Sequence, residues 1–265
     1  MRDVLVLGCH AVSDTWPATI SVAPDRLQQQ LEFLVERGYC GATFTDAVTA
    51  PPHHKTLAVT FDDGYRSVLL AAPILSRLGL VGSLFVVTNW PGRDTPMDWP
   101  NIDRYLAGPH ERELMPLSWQ EIGSLADAGW EIGSHTCSHP HLRAVDDSRL
   151  AYELAASRSE CEERLARPCL SVAYPYGEVD ARVMDAAKTA GYSTGAALTW
   201  RLHRGGALDW PRVGMSRTDP WGYWQQRVAP VKRWLVGSFA GDRLLLLDRL
   251  LRQARPGHRP PKGQR

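Results

Sequence analysis

Short apolar runs alternate along this chain with segments of helical spacing, and this alternation is the feature that most constrains its fold. Val4–Cys9 and Lys55–Phe61 are mostly apolar and contain β-branched residues, as expected of strands that are covered on both faces. Between them, Pro24–Glu36 carries a proline in its first turn and leucines at helical spacing. The repeated strand and helix predict an α/β fold built on a largely parallel sheet.

The same alternation continues to about Met215. We expect further strands at Gly82–Val87, Trp130–Ser134, Leu170–Tyr174, Tyr192–Leu198 and Arg212–Met215. We expect helices at Arg66–Leu78, Asp146–Ala166 and Val179–Ala190, and another that begins after the capping box Ser118–Glu121. The first of these helices should kink at Pro73. The stretch Thr88–Pro116 interrupts the pattern with seven prolines and glycines. A loop of this length inside a compact domain usually serves function, so we expect it to influence the choice of substrate.

Net charge and cysteine content limit the partners and the compartment. The 265 residues include 30 basic and 29 acidic ones, a formal net charge of +1, so the composition favours no nucleic-acid partner. The five cysteines form no C-x-x-C pair, which suggests neither a disulfide framework nor a zinc ribbon and is typical of a reducing compartment. The first residues do not resemble a signal peptide, and no run approaches the roughly 18 apolar residues of a spanning helix. We therefore expect a cytoplasmic protein.

Acidic and imidazole side chains follow two of the predicted strands. Asp62 and Asp63 end the buried run Lys55–Phe61, where adjacent carboxylates are costly unless they bind something. His135 and His139 follow a later strand, and neutral imidazole is a common ligand of zinc and related ions. A surface turn begun by Asp-Gly and a structural pair of histidines are the alternatives. Metal binding by one carboxylate and proton transfer by the other would explain both features.

Two further groups lie where strands are predicted to end. Tyr174–Gly177 follows one strand and is otherwise a simple Pro-Gly turn, and His10 follows the first strand. All of these groups fall on the carboxyl side of their strands. In barrels of parallel strands, that side is where the active site is built.

Three motifs in this order resemble the polysaccharide deacetylases that carry the NodB homology domain, carbohydrate esterase family 4. Thr60–Gly64 matches their first motif, Ser134–Leu142 their second, and Tyr174–Gly177 most of their third. The resemblance extends from about Val4 to Met215. It implies a distorted (β/α)7-type barrel that hydrolyses the N-acetyl, and in some members the O-acetyl, group of an acetylated amino sugar.

The resemblance also implies a site, carried over by matching position. It gives Asp63, His135 and His139 as ligands of a divalent metal and Asp62 as the catalytic base. The Tyr176 backbone N–H is placed to help stabilise the oxyanion, and we expect Pro175, Tyr176 and Trp210 to contact the substrate. Zinc is the first expectation for the metal, with cobalt, nickel and manganese as alternatives. Three protein ligands leave positions open for a water and the acetyl oxygen.

The chain departs from the family pattern at two places. Many members carry an arginine that orients the base where this chain has Ala173, and we expect Arg212 to take that place. The late Leu-x-His motif of the general acid is also missing. The opening Leu7–His10 and the pair Gly38–Tyr39 are similar to a subgroup that includes poly-N-acetylglucosamine deacetylases, in which an N-terminal histidine protonates the leaving amine. His10 is therefore the candidate acid, and a structural histidine is the alternative.

The end of the chain lies outside the resemblance. Beyond Thr218 the spacing is helical, with breaks near Pro220–Pro230 and Gly237–Gly241, and the final residues are basic. We expect a catalytic domain over residues 1–218, a C-terminal helical extension over 219–254 and a basic disordered tail over 255–265. The extension and tail suit peripheral contact with an anionic membrane, and the substrate would then be a lipid-linked sugar. Packing on the barrel or on a second copy is the favoured alternative, and the oligomeric state stays open.

Two other functions remain open from the sequence. Gly191–Gly195 fits the G-x-S-x-G elbow of serine α/β-hydrolases, with Ser193 as nucleophile and Asp209 and His258 as partners, but a helix precedes it and a strand follows. A carbohydrate-binding pseudoenzyme on the same fold is the other alternative. Six tryptophans are candidates either for a sugar groove or for core packing: Trp90, Trp99, Trp119, Trp130, Trp200 and Trp210.

Overall fold

The computed structural model describes residues 3–198, 206–230 and 233. The strands are β1 (Asp3–Cys9), β2 (Ala11–Val12), β3 (Ser21–Val22), β4 (Cys40–Gly41), β5 (Lys55–Phe61), β6 (Gly82–Val86), β7 (Glu131–Ser134), β8 (Ser171–Ala173), β9 (Thr194–Ala197), β10 (Trp210–Pro211) and β11 (Val213–Gly214). The helices are α1 (Pro24–Val35), α2 (Phe44–Thr49), α3 (Ala71–Arg77), α4 (Trp119–Asp127), α5 (Asp147–Leu165), α6 (Ala181–Thr189) and α7 (Trp221–Val228).

The main sheet is parallel and closes on itself. Its strand order is β10-β9-β8-β7-β6-β5-β1-β11, with β4 beside β5. The strands β10 and β11 are consecutive pieces separated only by Arg212, and they pair with β9 and β1 respectively. The last strand therefore joins both edges of the sheet. This arrangement confirms the predicted distorted (β/α)7-type barrel.

The predicted elements reappear with small shifts at their ends. The capping box is present before α4: the Ser118 hydroxyl accepts from the Glu121 N–H at 3.2 Å, and the Glu121 carboxylate accepts from the Ser118 N–H at 2.8 Å. The helix predicted over Arg66–Leu78 is divided ahead of Pro73. A 3₁₀ turn over Arg66–Leu70 ends where α3 begins, so Pro73 lies in the first turn of α3, where its missing N–H has no intrahelical partner to lose.

Helix α2 and a polar network fill the amino end of the barrel. The Phe44 N–H donates to the Ser83 hydroxyl at 2.8 Å. The Glu131 carboxylate accepts from the hydroxyls of Thr45 and Ser171, each at 2.5 Å. These residues begin α2, β6, β7 and β8, so the contacts close the end at which the strands start. The carboxyl ends of the strands form the other mouth of the barrel.

The long loop over residues 88–116, called here the 88–116 loop, contains only short 3₁₀ turns. It packs as an aromatic cluster with residues that follow β2 and β5, including Trp16 and Tyr65. The Glu113 carboxylate accepts from the hydroxyls of Ser13 and Thr15 at 2.6 and 2.7 Å. The loop is thereby fastened over the carboxyl end of the barrel.

The stretch between Pro220 and Pro230, at which a break was predicted, is helix α7. Its Trp224 is fully buried and contacts Phe33 of α1, with ring centroids 5.7 Å apart. Apart from residues 229, 230 and 233, the rest of the helical extension lies outside the described residues, as do the basic tail and residues 199–205 with Trp200. Among the helices of the described ranges, none is both long and apolar enough to cross a bilayer.

Candidate active site

Both carboxylates lie at the end of β5. Adjacent residues of a strand normally point to opposite faces of the sheet. Here a left-handed φ of 74° at Asp63, followed by 84° at Gly64, turns the chain as the strand ends. Asp62 and Asp63 are only 1% and 4% exposed. The turn thus delivers two buried carboxylates to the carboxyl mouth of the barrel.

Arg212 binds the first of these carboxylates with both of its terminal nitrogens. The Nη1–Oδ1 and Nη2–Oδ2 distances to Asp62 are 2.6 and 2.7 Å, and Nη1 also donates to the Thr60 hydroxyl at 2.8 Å. Burial raises the pKa of Asp62, but the charge and hydrogen bonds of Arg212, together with His135 and His10, lower it below its ordinary value. Asp62 is therefore held ionised and in a fixed orientation. The structure brings a cation to Asp62 although Ala173 supplies none.

His10 lies close to the Asp62 carboxylate. It directly follows β1, and its Nε2 is 3.9 Å from Asp62 Oδ2. Its side chain is 18% exposed, whereas that of Asp62 is almost fully covered. His10 therefore lies between the buried Asp62 carboxylate and solvent.

Asp63, His135 and His139 form a group that could hold a metal ion. The Asp63 Oδ1 atom is 3.3 Å from His135 Nε2 and 3.4 Å from His139 Nε2. Ligand atoms around a tetrahedral zinc, with bonds of about 2.0–2.1 Å, lie about 3.3 Å apart. The same Oδ1 atom is buried and has no hydrogen-bond partner within the described part of the chain. The donor set and its spacing fit a divalent ion.

The protonation of the two imidazoles also fits ligation. The Nδ1 atom of His135 lies 2.8 Å from the Ala173 carbonyl oxygen. Because a carbonyl only accepts, Nδ1 carries a proton and Nε2 is directed toward Asp63. Burial lowers the pKa of His135, but Asp63 and Asp62 raise it above its ordinary value, so a metal would bind Nε2 in place of a proton. Burial lowers the pKa of His139 to about 3, which keeps that ring in the neutral form that binds metals. For Asp63, burial raises the pKa, but the neighbouring histidines lower it well below its ordinary value.

The turn between the two histidines is strained and is held by Glu153 of α5. Thr136 and His139 adopt left-handed φ values of 69° and 59°. The buried Glu153 carboxylate accepts from the Cys137 and Ser138 N–H groups at 2.8 and 3.0 Å and from the Ser138 hydroxyl at 2.6 Å. Strained backbone of this kind persists only where its surroundings fix it. Glu153 is such a support.

Glu153 was not among the predicted site residues, although the sequence carries a signal for it. The predicted helix Asp146–Ala166 places Glu153 on the same face as Leu150, Leu154 and Cys161, and this face is buried. A carboxylate on an apolar face is costly unless it has partners.

The turn after β8 lies on the other side of His139. Tyr176 has a φ of 59°, and its ring packs edge-on against the His139 imidazole at 4.7 Å between centroids. Pro175 is buried beneath the turn. Gly177 has a φ of 68°, and a Cβ there would lie 2.8 Å from the Leu198 nitrogen, so only glycine fits. Tyr176 therefore borders the candidate metal group.

The structure does not bring Trp210 to this site. Residues two apart on a strand share a face, so Trp210 and Arg212 both point inward, but Trp210 lies one layer closer to the amino end. There it packs with the cluster that contains Phe44 and Ala47 of α2. The prediction of Trp210 as a substrate contact is not supported by this packing, because a residue in the floor of the barrel is remote from its mouth.

Other predicted candidates lie outside the site as well. Trp119 and Trp130 pack between the barrel and its helices. Ser193 precedes β9 at the amino ends of the strands, and its hydroxyl donates to the Leu170 carbonyl at 3.1 Å. His258 lies outside the described residues. Ser193 is thus at the opposite end of the barrel from the carboxylates and imidazoles.

Fold and site together define a class: a parallel (β/α) barrel with an arginine-bound carboxylate and an Asp-His-His group at its carboxyl mouth. The family model for polysaccharide deacetylase matches residues 49–195, which is more than half of the chain. The chain belongs to the polysaccharide deacetylase family.

Known proteins similar to the chain agree with this assignment. IcaB from Ammonifex degensii is 25% identical with a TM-score of 0.65, over 88% of this chain and 98% of that one. The polysaccharide deacetylase BC0361 from Bacillus cereus is 22% identical with a TM-score of 0.67, over 86% and 69% of the two chains. YxkH of Bacillus subtilis (strain 168), which carries the name of a polysaccharide deacetylase, is 22% identical over 196 residues. The alignment covers 72% of this chain and 62% of YxkH, so the chain spans less than two thirds of that relative.

Proposed function

We propose that this chain is a metal-dependent hydrolase that removes the N-acetyl group from an acetamido sugar in a polysaccharide, an oligosaccharide or a lipid-linked intermediate. One observation carries the proposal: the buried Asp62 carboxylate, hydrogen-bonded by Arg212, lies beside the group of Asp63, His135 and His139. Both lie at the carboxyl mouth, where active sites form in barrels of parallel strands. Both elements are needed for hydrolysis by an activated water.

The metal ligands would be Asp63, His135 and His139, with zinc as the expected ion. An ion bound there supplies Lewis acidity, which lowers the pKa of a bound water and polarises the acetyl carbonyl. The buried oxygen of Asp63 without a hydrogen-bond partner and the neutral imidazole of His139 support this assignment.

Asp62 acts as the general base that takes the proton of the attacking water. A base must be ionised and correctly aimed, and the two hydrogen bonds from Arg212 supply both conditions. A positioned base of this kind contributes roughly 10²- to 10⁴-fold to the rate. Arg212 is accordingly a positioning residue for Asp62.

His10 gives a proton to the leaving amine. An amide nitrogen leaves poorly unless it is protonated, and His10 borders the base from the solvent side at 3.9 Å.

On the opposite side of the metal group, the Tyr176 backbone N–H donates to the developing oxyanion. Pro175 and the Tyr176 ring form the adjoining wall for the acetyl group.

Acetate release from free, oligomeric and lipid-linked N-acetylglucosamine, with added zinc, tests the proposal. The wild type should release acetate from at least one of these sugars. Asp63→Ala should release almost none, because a metal ligand is lost. Ser193→Ala is the matched control and should keep wild-type activity, since Ser193 lies at the other end of the barrel.

Two outcomes would contradict the proposal. Loss of activity in Ser193→Ala with retention in Asp63→Ala would favour a serine hydrolase. Binding of the sugars without acetate release, with zinc, cobalt, nickel or manganese present, would favour a carbohydrate-binding pseudoenzyme.

A further inference from the structure

The two imidazoles of the candidate metal group are held in different ways. The Nδ1 of His135 donates to the Ala173 carbonyl at 2.8 Å. The Nδ1 of His139 is buried, and none of the described residues offers it a hydrogen-bond partner. Ligand histidines usually donate this second N–H to an acceptor, which fixes the orientation of the ring. A different contact must therefore orient His139.

Two aromatic rings pack against the His139 imidazole instead. The Trp99 indole stacks on the His139 imidazole with centroids 4.5 Å apart and planes inclined by 23°. On another side the Tyr176 ring meets it edge-on at 4.7 Å and 64°. Trp99 is itself 8% exposed and packs against Trp90 and Tyr65, with centroids 6.1 and 6.4 Å apart. The imidazole thus contacts a stacked indole and, at a steep angle, a phenol ring.

The backbone of His139 does not fix the orientation of its imidazole ring. Its φ of 59° is left-handed, and its N–H is used within the turn, donating to the Thr136 hydroxyl at 3.1 Å. A side chain on such a residue still rotates about its two χ angles. Without Trp99, one face of the imidazole would lose the ring that packs on it, and Nε2 could turn away from Asp63.

We propose that Trp99 is a positioning residue for the metal: its stacked indole takes the part that a hydrogen bond plays for His135. The inference rests on the proposed function, because it requires that His139 binds a metal. Trp99 belongs to the 88–116 loop, so one side chain of the loop expected to influence substrate choice also affects the affinity for the metal. No loop residue needs to bind the ion for this dependence to exist.

The test compares three variants of the full chain. Trp99→Leu removes the ring, and Trp99→Phe keeps a ring that can stack. Trp90→Leu is the matched control, because it loosens the same aromatic cluster through a residue that packs on Trp99 rather than on His139. The zinc dissociation constant is measured by competition with a chromogenic chelator, and the cobalt absorption spectrum reports the geometry of the ligands.

We expect Trp99→Leu to bind zinc about 10-fold more weakly, the lower end of the range for lost outer-shell partners of ligand histidines. Its cobalt spectrum should change. Trp99→Phe and Trp90→Leu should stay within about threefold of the wild type, a small effect next to that range. If Trp99→Leu fails to fold, Trp99→Met gives the same comparison with a longer apolar side chain.

The outcomes separate this inference from the proposed function. Wild-type zinc affinity in Trp99→Leu, or an equal loss in Trp90→Leu, would overturn the role of Trp99 and leave the proposed function standing. A wild type that binds no divalent ion would overturn both, because His139 would then have no metal to be aimed at.

Discussion

Replacement of Arg212 by methionine should leave the Asp62 carboxylate buried without its cation. The side chain that is lost makes hydrogen bonds of 2.6 and 2.7 Å to a carboxylate that is 1% exposed. Removal of one partner of a buried ion pair costs about 3–5 kcal/mol. We expect the lower end, because His10 remains 3.9 Å from Asp62 and the carboxyl can take up a proton.

The loss of stability should depend on pH in a defined direction. In the wild type the pKa of Asp62 lies below its ordinary value, so the pair stabilises the fold above the pKa of the unfolded carboxyl. This contribution disappears as the pH falls through the folded pKa. In Arg212→Met the lowering by Arg212 is lost, and burial, the largest influence, raises the pKa of Asp62 against the smaller effects of His135 and His10. The difference in unfolding free energy should therefore be largest at neutral and alkaline pH and should shrink in acid.

Activity should respond in the same direction. A raised pKa leaves Asp62 protonated at higher pH, so the acid limb of the pH profile of kcat/KM should move to higher pH. At neutral pH the rate should fall by about 10²-fold, the lower end of what a general base contributes. Arg212→Lys keeps the charge but loses the paired hydrogen bonds, so its acid limb should stay near that of the wild type while kcat falls.

Acetate release across a pH series, with urea unfolding of the metal-free protein, measures both effects. Arg233→Met is the matched control: it loses hydrogen bonds to the Val4 carbonyl at 2.9 Å and to Asp3 at 2.7 Å, at the amino end of the barrel. It should lower stability without moving the pH profile. An unchanged acid limb in Arg212→Met would refute the claim that Arg212 keeps Asp62 ionised.

Three further predictions follow from single residues. His10→Ala should keep its metal and lose most of its turnover, as measured by metal analysis and acetate release; near-normal kcat would overturn its role as the acid. Glu153→Gln should weaken zinc binding by about 10-fold, because one carboxylate acceptor of the turn is lost; an unchanged dissociation constant would show that the turn holds itself. Gly64→Ala should lower the free energy of unfolding by more than about 1 kcal/mol, since its φ is 84°, whereas Gly123→Ala inside α4 should raise it.

The barrel was predictable because its cause is local. Buried apolar runs such as Lys55–Phe61 and amphipathic segments such as Pro24–Glu36 specify their own elements, and parallel strands must bring their carboxyl ends to one mouth. That rule alone places Asp62 and Asp63 in the neighbourhood of His135 and His139.

Three features depend on depth or on packing that periodicity does not encode. Trp210 and Arg212 are two residues apart and both point into the barrel, but this alternation does not tell how deep along the barrel axis a residue lies. The change from a 3₁₀ turn to α3 ahead of Pro73 also has no pattern of its own in the sequence. The stack of Trp99 on His139 comes from the 88–116 loop, whose path follows no repeat.

The central claim is that hydrolysis needs an ion held by Asp63, His135 and His139. The most direct measurement is acetate release from N-acetylglucosamine oligomers by protein stripped with a chelator and then titrated with zinc. The account predicts no acetate from the stripped protein and a rise that levels off near one zinc per chain. Undiminished release from metal-free protein, or no release at any zinc level from folded protein, would contradict it.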